Sequence, residues 1–178
     1  LEYADHIVFN SLSELERYGE RAKAAGKSTG LRLNPECSTQ DGHEIYDPCA
    51  PGSRLGTRLD EFAFLSPEKF RKLCGMLDGI HFHTLCEQDS DALETTLDAV
   101  ESRFGFLFDL PGLRWINFGG GHHITRDGYE IPRLERCIER MRKRGLEVYL
   151  EPGEAVALNA GVLISTVLDI RPADRTGI

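Results

Sequence analysis

"INFGGGHHIT", residues 116–125, closes an apolar run on three consecutive glycines and two histidines. The run itself, "LRWINF" (113–118), has the length and composition of a buried strand. Its chemistry-bearing residues all follow its last apolar position. Working outward, the same arrangement recurs. "HIVFN" (6–10), "GLRLN" (30–34), "GIHFHTL" (79–85) and "LEVYLE" (146–151) are apolar runs that give way to polar or Gly- and Pro-rich segments. Helical patterns separate them. About five apolar strands alternating with helices predict a parallel β/α architecture. Ligand chemistry at strand C-terminal ends is the habit of both (β/α)8 barrels and doubly wound sheets. A complete barrel usually takes about 250 residues, so a chain of 178 is expected to form only part of one.

The helices carry their own boundary signals. "SELE" (13–16) reads as a capping box, with Leu12, Leu15, Tyr18 and Ala22 at helical spacing behind it and Gly26 as the stop. "SPEKFRKLCGMLDG" (66–79) starts with Ser66 as N-cap and Pro67 in the first turn. Leu93, Leu97, Val100 and Phe104 mark a helix. Pro132 opens another, which carries Leu134, Ile138 and Met141 and ends near Gly145. "VLISTVLDI" (162–170) reads as a final β-branched run. Residues 35–60 form a long polar loop, the kind that is usually functional in a compact domain.

Composition narrows the function classes. Apolar residues make up 40% and charged residues 28%, as in ordinary globular chains. No apolar run approaches the roughly 20 residues that cross a bilayer, and residues 1–10 lack a signal-peptide pattern. Neither a membrane nor a nucleic-acid partner is therefore expected. The net charge is −8, with basic residues scattered apart from "RMRKRG" (140–145), which suits a helix end. That balance suits a small cationic ligand. Five cysteines without a CxxC pair point to reduced thiols and a cytoplasmic setting.

Four strand ends hold the candidate chemistry. Arg32 lies inside an apolar strand, either packed by its stem or reaching into a site. His81 and His83, two apart, share one face of their strand. They can bind a metal, stack on a flat ligand, or hydrogen-bond in the core. Cys86 and Glu87 follow at the mouth. Gly119, Gly120 and Gly121 bring backbone N–H groups close to an anion, or satisfy a turn needing positive φ. "YLEPGEAV" (149–156) ends a strand on Glu151, and Glu154 follows on the turn.

Taken in order, "YDPCAPGSRLG" (46–56), "HFHTLCE" (81–87), "NFGGGHHIT" (117–125) and "EPGEAVALNAG" (151–161) resemble the pyridoxal-phosphate-dependent decarboxylases of the alanine racemase-like fold, fold type III. Within that family they are similar to the enzymes acting on carboxynorspermidine and carboxyspermidine. The resemblance covers essentially residues 1–170. It implies a lyase of polyamine biosynthesis that forms norspermidine or spermidine, with pyridoxal 5'-phosphate (PLP) as cofactor. It implies a TIM-type barrel lacking its first strands and C-terminal β-domain, so that residues 1–160 are barrel and 161–178 begin the next domain. It further implies a homodimer with a shared active site.

Residue by residue, the resemblance makes His83 the group stacked on the cofactor ring and Glu151 the acid paired with the ring nitrogen, both catalytic. Gly119, Gly120 and Gly121 become the phosphate turn, and Arg32 an arginine near the cofactor. Glu154 replaces the arginine that related ornithine and diaminopimelate decarboxylases carry. With Glu87 it becomes a candidate for binding a polyamine amino group. No metal is implied. Relatives hold the cofactor on a lysine from an early strand. Here Lys23, Lys27, Lys69, Lys72 and Lys143 all fall on expected helices or their ends. The tail "RPADRTGI" departs from the family. Two rival readings are a metal-dependent barrel hydrolase using His81, His83, His122 and His123, and a non-catalytic truncated relative.

Overall fold

The computed structural model describes residues 1–40 and 47–169. Five strands, His6–Phe9 (β1), Ser28–Arg32 (β2), Gly79–His81 (β3), Trp115–Asn117 (β4) and Glu147–Tyr149 (β5), pair in parallel in that same order. The order never reverses, so the sheet has no switch point. That separates the barrel winding from the doubly wound one, which the sequence left open. Ladder pairing at the third and fourth stretches is shorter than their apolar runs. It stops at His81 and Asn117, although Phe82 N still donates to Asn117 O.

The helices are Leu12–Ala24 (α1), Leu59–Ala63 (α2), Pro67–Cys74 (α3), Ser90–Phe108 (α4), Ile131–Arg142 (α5) and Gly153–Ala157 (α6). Residue parity sorts the strands' side chains. Leu31 and Leu33, Ile80 and Phe82, Ile116 and Phe118, and Val148 and Leu150 join the core shared with the helices. From α4, Leu93, Leu97, Val100 and Phe104 are fully buried in it, as their spacing requires. Arg32, His81, Asn117 and Tyr149 have the opposite parity and share one register row. No described helix is long and apolar enough to cross a membrane.

Trp115 sets the floor of that second face. Its indole lies across Gly30 and Gly79, and a Cβ on either would fall inside the ring. Trp115 Nε1 donates to Ser28 Oγ over 2.8 Å. Two glycines facing one large ring are a size match between neighbouring strands.

Several local expectations shift. The cap of α1 is Ser11, whose Oγ accepts from Glu14 N, while Ser13 lies inside the first turn. Ser11 has the extended backbone that aims a hydroxyl at a free N–H. The buried stripe of α1 runs through Gly19 and not Tyr18, because Met76 presses close to the helix there. The Ser66 cap with Pro67 behind it, and the positive-φ stops at Gly26 and Gly145, stand as expected. The long loop closes earlier than residue 60: Thr57 bridges to Leu33, and α2 begins at Leu59. Residues 162–169 form no strand; they pair with nothing described, and Leu163, Ile164 and Leu168 are at least 90% exposed. Residues 41–46 and 170–178, the latter containing the whole "RPADRTGI" tail, lie outside the described residues.

Candidate active site

The C-terminal ends of β2 to β5 converge on Glu151, two residues beyond β5. His81 Nε2 lies 3.5 Å from Glu151 Oε1, and His83 Nδ1 lies 3.9 Å from Oε2. The two imidazole centroids are 6.5 Å apart. Asn117 Nδ2 donates to Glu151 Oε1 over 2.8 Å, and its Oδ1 accepts from Gly119 N over 2.8 Å. Gly120 N donates to His83 Nδ1 over 3.3 Å. One network therefore joins the ends of three strands and the glycine turn.

The glycines are required by close packing. Gly119 and Gly121 have φ of +70° and +82°, in the left-handed region that favours glycine. A Cβ on Gly120 would stand 2.7 Å from Glu151 O and 3.1 Å from His83 Cε1. The turn thus presses against both the β5 end and His83. Gly121 and His122 N–H groups have no acceptor among the described residues. Two adjacent free N–H groups on a glycine turn are what an anion needs.

Burial governs the histidines. It pushes the His81 pKa down to about 4, against Glu151, which favours the charged form. Burial, followed by the nearby Arg32 charge, lowers that of His83. Burial likewise lowers Arg32, while Cys49 and Glu151 act in the opposite direction. His81 and His83 therefore face Glu151 as neutral rings at pH 7.

A second group lies beside the first. Glu87, His123 and Glu154 each offer one ligand atom within 4.8 Å of the others. His123 Nε2 is 3.5 Å from Glu154 Oε1. Gln88 N donates to Gly121 O and His123 N donates to Gln88 O, which ties the segment after β3 to the glycine turn. Thr125 Oγ1 donates to Ala155 O and docks the same loop on α6.

Of the residues singled out in the sequence, His83, Glu151 and the glycines meet in one network. Arg32 lies in the register row of His81. Glu87 and Glu154 meet each other. The four histidines of the metal reading do not form one cluster: His81 and His83 face Glu151, and His123 faces Glu154. The His122 ring turns instead to Phe118 O, with burial lowering its pKa to about 4. Among the described residues two separate sets, His81, His83 and Glu151, and Glu87, His123 and Glu154, are each close enough to share an ion, and neither joins the two histidine pairs. Sequence reasoning missed Asn117, a polar residue closing an apolar strand, and did not separate His123 from His122. The lysines lie elsewhere. Lys23 binds Asp78, just before β3, and Lys27 directly precedes β2, so both sit at the opposite strand ends. Lys69 and Lys72 pair with Glu16 and Glu20 between the outer helices, and Lys143 caps α5.

No family model matches the chain. It is 42% identical, over 93% of its length, to a carboxynorspermidine/carboxyspermidine decarboxylase of Campylobacter jejuni. It is 40% identical, over 94% of its length, to a carboxyaminopropylagmatine decarboxylase of Synechocystis. These matches span 40% and 41% of the two relatives. A crystal structure of the Campylobacter jejuni carboxynorspermidine decarboxylase complexed with norspermidine superposes with a TM-score of 0.68 at 39% identity. That superposition covers 88% of this chain and 37% of the other. These relatives do not favour the hydrolase reading. Over the roughly two-fifths of their length that it spans, the chain is a homologue of the carboxynorspermidine/carboxyspermidine decarboxylases, on the α/β barrel scaffold of the alanine racemase-like enzymes.

Proposed function

We propose that this chain is the central barrel segment of a PLP-dependent decarboxylase that converts carboxynorspermidine or carboxyspermidine to norspermidine or spermidine. The observation that carries the reading is Glu151. It is held by Asn117 and flanked by His81 and His83 at the C-terminal end of parallel strands, beside a glycine turn with free N–H groups.

The residues fit the cofactor at two ends. On the turn of Gly119, Gly120 and Gly121, the N–H groups of Gly119 and Gly120 donate to Asn117 and His83, while those of Gly121 and His122 have no acceptor among the described residues and could receive a phosphate. Glu151 offers a carboxylate that would pair with the ring nitrogen, next to His83, whose imidazole would stack on the pyridine. Arg32 adds positive charge close to both histidines. When bound, PLP supplies an electron sink for the pair released as CO2 leaves. Glu151 then keeps a proton on the ring nitrogen. His83 holds the plane of the ring, and Asn117 fixes which Glu151 oxygen remains available. Glu154 and Glu87 bind an amino group of the cationic substrate. A lysine for the cofactor's aldehyde comes from outside this chain.

On this reading residues 1–160 belong to the barrel and 161–178 begin a C-terminal β-domain. The whole protein works as a cytoplasmic homodimer with a shared site; the five cysteines, all free thiols, accord with that setting. The test uses the full-length protein carrying this chain. It should bind PLP, seen by its absorbance, and release CO2 from carboxynorspermidine. Glu151→Gln should retain PLP but lose turnover by a factor on the order of 100 or more. Full activity in Glu151→Gln would remove the acid's proposed role.

A further inference from the structure

We propose that Gln88 is a positioning residue for the phosphate turn: it holds a strained segment, residues 86–88, between the long loop and the turn, and so aims the free His122 N–H. The inference rests on the decarboxylase reading and names what sets the turn's grip on the cofactor phosphate.

Both main-chain and both side-chain polar atoms of Gln88 are hydrogen-bonded. Its N donates to Gly121 O over 2.9 Å, and its O accepts from His123 N over 3.1 Å. In the side chain, Oε1 accepts from Thr39 Oγ1 over 3.0 Å and from Gln40 Nε2 over 2.7 Å, while Nε2 donates to Thr39 O over 2.6 Å. Gln40 Nε2 also donates to Cys86 O over 3.3 Å. The backbone of Gln88 thus faces the turn, and its side chain faces the start of the long loop, which Arg103 holds again at Glu36. Gln88 and His122 form an isolated parallel bridge beyond the last ladder pair of β3 and β4.

Strain and direction together make the brace specific. Glu87, between the two anchored residues, has a left-handed backbone with φ +53°. A residue with a side chain persists in that region only where its surroundings hold it. The bonds to Cys86 O and to Gln88 are what hold it here. Direction follows from the peptide itself, because a trans peptide points its C=O and N–H opposite ways. With Gly121 O tied to Gln88 N, the His122 N–H of the same peptide points away from residues 86–88, to the side where no described group accepts from it. A slip of Gln88 rotates that peptide and takes the donor with it. The turn also lies in backbone contact with this segment, since a Cβ on Gly121 would fall on Leu85 O. Peptide N–H groups grip an anion only when aimed at it. Their aim therefore depends on the Gln88 amide, which itself bonds only the loop.

The experiment takes the full-length protein freed of cofactor and titrates it with PLP and with pyridoxal, which lacks the phosphate. Absorbance reads binding without turnover. In Gln88→Ala the Kd for PLP should rise about 10-fold, as for a lost charge-assisted hydrogen bond, while that for pyridoxal stays within about two-fold. Gln40→Met removes the brace from the loop side and should show the same split, even if Gln88→Ala does not fold. Glycine takes a positive φ without strain. Adding Gln88→Ala to Glu87→Gly should therefore weaken PLP less than adding it to the wild type. Equal PLP affinity in wild type, Gln88→Ala and Gln40→Met overturns the role of Gln88. So does a matching loss for PLP and pyridoxal, which marks a general loosening of the site, or a PLP loss that Glu87→Gly leaves undiminished. A wild-type protein that binds neither compound overturns the decarboxylase reading itself, and the role of Gln88 with it.

Discussion

Asn117 ties the glycine turn to Glu151, giving a 2.8 Å hydrogen bond to the carboxylate and taking one of 2.8 Å from Gly119 N. Asn117→Leu removes both bonds while keeping similar bulk. PLP affinity should then fall about 10–100-fold, read from a titration of cofactor absorbance. Asn117→Asp keeps the acceptor for Gly119 but sets a second carboxylate against Glu151, and carboxylates sharing a site hold a proton more tightly. Its activity should rise from the acid side at higher pH than in the wild type. Identical affinities and pH profiles in all three proteins would leave Asn117 a spectator.

Gly120 stands where backbone, imidazole and carboxylate-bearing segments meet. In Gly120→Ala the new methyl presses on Glu151 O and His83 Cε1. Overpacking of this kind costs about 1–3 kcal/mol. The melting temperature should fall and cofactor binding should weaken together. Gly128→Ala, whose Cβ would meet nothing within 4 Å, makes the comparison, though its φ of +85° carries its own strain.

His122 should make the protein acid-sensitive. Burial lowers its pKa from an ordinary 6.5 to about 4 in the folded chain. Between those values the unfolded chain binds a proton that the folded chain does not. Stability therefore rises with pH across that window and is lost as pH falls from about 6.5 towards 4. The ceiling on the loss is roughly 3 kcal/mol. His122→Gln can keep a donor for Phe118 O, and its melting temperature should depend less on pH between 4 and 6.5. A curve parallel to the wild type would rule out His122 as a source of acid sensitivity.

Gly79 is paired with Trp115 by size. Gly79→Ala drives a methyl into the indole, so the ring must leave the floor of the site or β3 must shift. Expected are a destabilisation of about 1–3 kcal/mol and a change in tryptophan emission. Trp115→Leu should relieve the clash and recover part of the loss in the double variant. Strictly additive losses would show that the two positions do not interact.

The parts of the fold that depend on local pattern were legible in the sequence. Five apolar runs marked where β1 to β5 lie, though the run from Val162 forms no strand over its described residues, and Leu93, Leu97, Val100 and Phe104 fixed the buried stripe of α4. The two-residue spacing of His81 and His83 placed both on the face that meets Glu151. What depends on register was hidden. The fit of Trp115 onto Gly30 and Gly79 requires knowing that residues 30, 79 and 115 align across three strands. His122 and His123 look equivalent in the chain, yet adjacent side chains diverge, so only one reaches Glu154. Asn117 carried no motif, because its role comes from the two groups it joins. The Ser11 cap was displaced by Ser13 because both hydroxyls precede a glutamate at a plausible interval, and they even hydrogen-bond each other.

The run from Val162 to Leu168, "VLISTVL", has no charge and no proline, and its large aliphatic side chains lie on the surface. Such a window is a template for intermolecular strand addition. With its backbone unpaired among the described residues, it can pair edge to edge with a second copy of this chain, away from the face that carries Glu151. Ile164→Lys would set a charge at the centre of the window. Light scattering should then show a higher aggregation threshold, with the Glu151 network undisturbed.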